Sequence, residues 1–176
     1  GNEAASVTFK DGFDAFAANS GKIDMQFTNG RLYVDDVMFN VQAGSGEIRA
    51  SEDEKYNGTV LVGSQGDDVL YSGKGNDLMI GGAGKDTFVF GNSFGNDTIV
   101  GSSSEDVIRF VNDFNAQEYS ISQKHDDLVI TYQQTGMTTE SSITISDWYT
   151  ASDRIDTVQF GNGTYSISNG SFQKQA

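Results

Sequence analysis

Gly63-Ser-Gln-Gly-Asp-Asp68-Val-Leu-Tyr71 is followed without a break by Ser72-Gly-Lys-Gly-Asn-Asp77-Leu-Met-Ile80, and then by Gly81-Gly-Ala-Gly-Lys-Asp86-Thr-Phe-Val89. The three units share a nine-residue pattern, G-G-x-G-x-D-x-U-x, in which U is a large apolar residue: Leu70, Met79 and Phe88. A fourth copy, Phe90-Gly-Asn-Ser-Phe-Gly95-Asn-Asp97-Thr-Ile99, is stretched. A fifth, Gly101-Ser-Ser-Ser-Glu-Asp106-Val-Ile108, is eroded. Upstream, Asn57-Gly-Thr59-Val-Leu61 keeps the apolar position but has Thr where Asp belongs. The tract therefore runs from residue 57 to residue 108. Its strong centre and weak ends suit a stacked repeat, whose terminal units are atypical.

The spacing has a physical logic. Six Gly-rich residues ending in Asp make a turn, because Gly tolerates the backbone angles of a tight loop. The three residues x-U-x make a short strand with U pointing inward. Two units then form one coil of a flattened helix. Loops nine residues apart lie on opposite sides, and loops eighteen apart stack. This pairs Asp68 with Asp86 and Asp77 with Asp97. The fourth copy lengthens the second interval to twenty, and likewise that from Asp86 to Asp106. Distortion is expected at those two places.

Each stacked pair offers two carboxylates and several backbone carbonyls. Such an all-oxygen set suits Ca²⁺, whereas Zn²⁺ and copper favour His or Cys and Mg²⁺ keeps its waters. The candidate ligating residues are Asp68, Asp77, Asp86, Asp97 and Asp106, with the loop positions Gly63, Gln65, Gly66, Gly73, Gly75, Gly81, Gly82, Gly84 and Gly95. Two calcium sites are expected, with three or more open. No EF-hand string occurs.

Composition agrees. Among 176 residues there are 11 basic and 25 acidic side chains, so the net charge is 11 − 25 = −14. That charge argues against nucleic acid and anionic membrane surfaces. It destabilises a compact chain unless cations offset it. The absence of Cys removes disulfides, thiolate zinc sites and Cys nucleophiles, and a single His removes His-pair metal motifs. No apolar run approaches the ~20 residues of a membrane span. Gly1 to Lys10 lacks the basic-then-apolar order of a secretory signal peptide, so none is expected at this end.

The repeats resemble the RTX calcium-binding nonapeptide, which implies a parallel β-roll. A second, softer resemblance covers residues 86 to 168. It rests on Asp126-Asp127-Leu-Val-Ile130, Ile145-Ser-Asp-Trp148-Tyr, and Arg154-Ile-Asp-Thr-Val-Gln-Phe-Gly-Asn-Gly163-Thr-Tyr. These strings look like the haemolysin-type calcium-binding-related module that often follows RTX repeats. By resemblance, that module packs on the last coil and covers its open edge. The resemblance implies part of a larger bacterial protein exported by type I secretion machinery, extracellular or held at the cell surface. The resemblance also implies an uncleaved secretion signal near the C-terminus, within about the last 50 residues and ending Asn169-Gly-Ser-Phe-Gln-Lys-Gln-Ala176. Toxin, adhesin, surface-layer module and ancillary domain of a secreted hydrolase remain open as the parent.

The expected fold class is all-β: a β-roll over 57–108, a β-rich N-terminal flank over 1–56, a β-rich capping module over 109–168, and a tail over 169–176. In the flank, a short helix is expected over Asp11–Asn19, a hairpin from Lys22–Phe27 to Arg31–Val34 across Asn29-Gly30, and a β-prone run over Asp36–Val41. Glu52-Asp53-Glu54 reads as a solvated loop. In the module, strands are expected over Val107–Phe110, Tyr119–Gln123, Asp127–Tyr132, Ser142–Ile145, Arg154–Phe160 and Thr164–Ser168. Lys124-His125-Asp126 and Gly161-Asn162-Gly163 are the turns. Trp148 reads as a core anchor. His125, Asp126 and Asp127 read as turn residues. No Ser or Cys elbow and no carboxylate pair tied to a cleft marks an enzyme.

Overall fold

The computed structural model describes residues 31–34, 37–52, 57–111, 115–132, 140–168 and 170–176. The helix expected over Asp11–Asn19, the strand over Lys22–Phe27, the Asn29-Gly30 turn and residues Asp53 and Glu54 lie outside them.

The repeat tract folds as its period dictates. Among the described residues the strands run β1 Arg31–Val34, β2 Val37–Ala43, β3 Glu47–Arg49, β4 Thr59–Val62, β5 Val69–Tyr71, β6 Leu78–Ile80, β7 Thr87–Phe90, β8 Asn96–Val100 and β9 Val107–Phe110. They continue with β10 Tyr119–Lys124, β11 Asp127–Tyr132, β12 Ser141–Ile145, β13 Thr157–Phe160, β14 Gly163–Ser168 and β15 Ser171–Lys174. One 3₁₀ turn, Ala116–Glu118, is closed by a capping box between Asn115 and Glu118.

Successive repeat strands go alternately to two sheets. One has the order β1-β2-β4-β6-β8-β12-β11-β10, the other β15-β14-β13-β9-β7-β5-β3. Leu70 faces Phe88, and Leu61 faces Met79, in parallel register eighteen residues apart. Met79 faces Ile99 and Phe88 faces Ile108 at twenty. Parallel stacking reaches upstream of the legible repeat, because β2 pairs with β4 and β3 with β5.

Each repeat strand points its U residue into the core between the sheets. Leu61, Leu70, Met79, Phe88, Ile99 and Ile108 are all fully buried. Burying each of these contributes about 1.5–3 kcal/mol. The flanking x residues are half-exposed in β5 and β9, giving the alternation of a strand with one wet face.

Beyond Phe88 the core thickens. Phe90, Phe94, Phe110, Tyr119, Tyr132 and Phe160 form an aromatic cluster, with Phe110 stacked on Phe160 at 5.0 Å and close to Tyr119 at 4.4 Å. The extra residues of the fourth repeat supply Phe94 to this cluster, 5.3 Å from Phe90, while Asn92 and Ser93 form an exposed turn.

The capping module continues both sheets. β12 adds parallel to β8, and β13 adds parallel to β9. Each then folds back in antiparallel hairpins, β12-β11-β10 and β13-β14-β15. The open edge of the last coil is therefore covered on both sides, as expected. The Gly161-Asn162 turn pairs Phe160 with Gly163, a two-residue hairpin connection. Boundaries differ from expectation by one residue at Lys124, Ser141 and Gly163, which join β10, β12 and β14. The strand expected from Arg154 begins at Thr157, because Ile155 is buried and its carbonyl accepts the Trp148 indole N–H at 2.6 Å. Asp127 opens β11 as expected, and its Oδ1 accepts the Asp147 N–H at 2.8 Å. Trp148 is buried, with the Arg154 guanidinium 4.2 Å above its ring. The C-terminal residues Ser171–Lys174 pair with β14 as an edge strand.

Candidate metal centre

Five aspartates close the repeat loops, and all are buried: Asp68, Asp77, Asp86, Asp97 and Asp106 are at most 2% exposed. Their placement follows from the turn. Each Asp ends its loop just before a strand, so its side chain reaches back over the strand start one coil earlier. The Asp68 N–H donates to Asp86 Oδ1 at 2.9 Å, and the Asp86 N–H to Asp106 Oδ1 at 2.8 Å. On the other side, the Thr59 N–H donates to Asp77 Oδ1 at 2.6 Å, and the Asp77 N–H to Asp97 Oδ1 at 2.8 Å. These two ladders join all five sequence-predicted aspartates into the pairs that the spacing gives. The twenty-residue intervals do not distort them: the bonds across eighteen and twenty residues have nearly equal lengths. The exposed Asn92–Ser93 turn absorbs the inserted residues.

The predicted loop glycines sit where backbones meet. Gly63 meets Gly81, Gly66 meets Gly84 and Gly82 meets Ser64 on one side, and Gly75 meets Gly95 on the other. Gly73 lies against Ala50, nearer the N-terminal coil. Gln65 is exposed at its loop tip. At Gly82 (φ +106°) a Cβ would lie 1.9 Å from the Ser64 carbonyl oxygen. At Gly95 (φ +79°) it would lie 2.1 Å from that of Gly75. The space a side chain would fill is taken by inward carbonyls, so both conformation and contact require glycine there.

Among the described residues, three buried carboxylate oxygens have no partner. Oδ2 of Asp77, Asp86 and Asp97 is buried and accepts no hydrogen bond, and the Ser72 hydroxyl is likewise unpaired. The ion pair among the described residues, Arg49 with Glu47, is exposed and serves none of them. Burial pushes Asp77 up to about 7, with the nearby Glu52 charge adding and the Thr59 N–H offsetting part. Burial raises Asp86 to about 6, reinforced by the Asp106, Asp68 and Asp67 charges. Burial and the Asp77 charge hold Asp97 well above the ordinary carboxylate range, with the Asp77 N–H offsetting part. A buried carboxylate without donors or counter-charge costs several kcal/mol.

The donor set fits a hard cation. It consists of carboxylates, backbone carbonyls and a serine hydroxyl, all oxygen. Among the described residues no three His, Cys, Asp or Glu side chains converge on one point. A cation here would therefore take one or two carboxylates and complete its shell with backbone carbonyls.

Comparison with known proteins agrees. Residues 58–88 and 93–109 match the RTX calcium-binding nonapeptide repeat. The coils are RTX calcium-binding repeats. Residues 127–165 match the haemolysin-type calcium binding protein related domain, which here is the capping module. The RTX repeat is a structural calcium-binding element rather than a catalytic one. No curated protein matches the chain. Among solved structures, the extracellular lipase LipA from Serratia marcescens shares the fold at TM-score 0.51 and 15% identity. The match covers 73% of this chain and 20% of the lipase, so the chain spans about a fifth of that protein.

Sequence reading missed a second ladder. The residue before the loop Asp is a free position in the pattern, yet Asp67 Oδ1 accepts the Lys85 N–H and Asn76 Oδ1 accepts the Asn96 N–H, both at 2.9 Å. Asn96 Oδ1 in turn accepts from the Ser142 hydroxyl at 2.8 Å, tying the last RTX coil to β12. The recurrence of Asp or Asn at 67, 76 and 96 was the available signal. Thr59 was also missed: its Oγ1 accepts the Ser51 N–H at 2.9 Å, holding the segment just upstream rather than the preceding coil. His125 lies in the exposed turn with φ +56° and takes no part in the site.

Proposed function

We propose that this chain is a calcium-folded segment of a larger secreted bacterial protein. Its RTX loops order when calcium is met outside the cell. The observation that carries the reading is the set of three buried, unpartnered oxygens on Asp77, Asp86 and Asp97. Bound Ca²⁺ supplies the positive charge and multiple oxygen coordination that these loops lack on their own. Asp77, Asp86 and Asp97 would hold it, with loop carbonyls such as those of Ser64, Gly75 and Gly81 completing the shell.

Without that charge the aspartates repel one another along each ladder. The short strands of the roll then work against a −14 chain. A loose chain suits passage through a type I secretion channel. Ordering beyond the membrane, where calcium is millimolar, would favour one-way export. No helix among the described residues is long and apolar enough to cross a membrane. The capping module would seal the finished roll against edge-to-edge pairing.

Far-UV circular dichroism during a calcium titration tests this. A cooperative gain of β signal is expected at ~10⁻⁴–10⁻³ M calcium, the range of extracellular sites. Identical spectra in EDTA and in excess calcium would overturn the reading.

A further inference from the structure

The five aspartate loops are not equivalent. In the three central loops Oδ2 is open, but in the outermost two it is closed by the protein. Asp68 Oδ2 accepts the Ser64 N–H at 2.5 Å and the Ser64 hydroxyl at 2.8 Å. Asp68 Oδ1 accepts the Gly46 N–H. Asp106 Oδ2 accepts the Ser103 N–H at 2.7 Å.

The backbone four residues before each Asp separates the two classes. Before Asp77, Asp86 and Asp97 stand Gly73 (φ +82°), Gly82 (φ +106°) and Ser93 (φ +59°), all in the left-handed region. Before Asp68 and Asp106 stand Ser64 and Ser102, and neither has positive φ. A left-handed residue at this point turns the loop's amides away from the carboxylate. A right-handed or extended one lets an N–H swing in and donate. Ser93 sharpens the correlation, because a non-glycine residue resists this conformation and yet adopts it beside an open Oδ2.

We propose that the first and fifth loops are closed by Ser64 and Ser103 and hold no cation, so that the chain binds three calcium ions, one each at Asp77, Asp86 and Asp97. The proposal rests on the calcium reading above and deepens it. The closed loops act as metal-independent ends to a metal-dependent stack.

Equilibrium dialysis of the full chain against saturating calcium counts the ions directly. Three are expected. Asp77→Asn, Asp86→Asn and Asp97→Asn should each leave two, whereas Asp68→Asn and Asp106→Asn should leave three. Ser64→Gly restores the left-handed option, removes the hydroxyl donor and should raise the count to four. This gain cannot come from misfolding. Four or five ions in the unaltered chain, a lost ion in Asp106→Asn, or an unchanged three in Ser64→Gly would overturn the serine closure while leaving calcium binding intact. A count of zero would overturn both.

Discussion

The repeat coils and the capping module extend the same two sheets but are held together differently. From β4 to β9 the strands are short and stack in parallel, and the loops enclose carboxylates with unsatisfied oxygens. From β10 to β14 the strands are longer and paired in antiparallel hairpins. Tyr119, Tyr132, Phe160 and Tyr165 pack in edge and stacked contacts 4.9 to 5.4 Å apart. Trp148 is locked by its N–H bond to Ile155 and by Arg154. Buried carboxylate oxygens without a partner therefore belong to the coils, and among the described residues the module encloses none. A shared sheet does not imply a shared source of stability.

The strongest way to break this comparison is to remove calcium and follow each region separately. Trp148 is the single tryptophan, so its emission reports the module, while far-UV circular dichroism is weighted toward all the strands. Chelation should abolish much of the β signal at calcium levels where the Trp148 emission still reports a buried indole. Coincident loss of both signals at every calcium concentration would mean that the two regions fold as one unit and that the contrast is false.

A smaller effect sharpens it. Phe110 joins the last coil to the module through Phe160, Tyr119 and Phe94. Phe110→Ala should cost about 3–5 kcal/mol in urea unfolding at saturating calcium. It should also separate the two transitions further. A loss below about 1 kcal/mol would show that the aromatic cluster is not the joint.

The smallest expected effect is on pH dependence in EDTA. Asp77 and Asp86 have folded values near 7 and 6, above the ordinary carboxylate value they take when unfolded. The folded form thus binds protons more readily, and its stability rises as pH falls through that window, until the unfolded chain is protonated too. Acidifying the chelated protein from about pH 7.5 to about pH 6 should favour the folded coils by about 1–2 kcal/mol, read as regained β signal. With calcium present, proton competition for the same oxygens should reverse the trend. A chelated protein that loses β signal over this range would contradict the assignment of unpaired carboxylates.

Much of the roll was legible because a nine-residue period fixes where turns and inward side chains fall. Leu70, Met79 and Phe88 are buried as the pattern requires, and the aspartates stack in the pairs given by counting. The strand stacking upstream of residue 57 was less visible. There the pairing intervals are nineteen between β2 and β4 and twenty-two between β3 and β5, and the Gly and Asp positions are lost. The expected distortion at the fourth copy was a misjudgement of geometry. Inserted residues can leave through an exposed turn without moving the strand ends. The Asp67 and Asn76 ladder hid behind a position that the pattern leaves free.

Sequence by itself determined the architecture, the choice of an oxygen-only cation and the positions of the five carboxylates, because periodicity and donor chemistry are properties of residue order. Only the tertiary structure decided which of those carboxylates still lack a partner. Whether Oδ2 is open or closed depends on the backbone handedness of a residue four positions earlier and on which amide it turns inward. Serine permits either outcome, as Ser64 and Ser93 show.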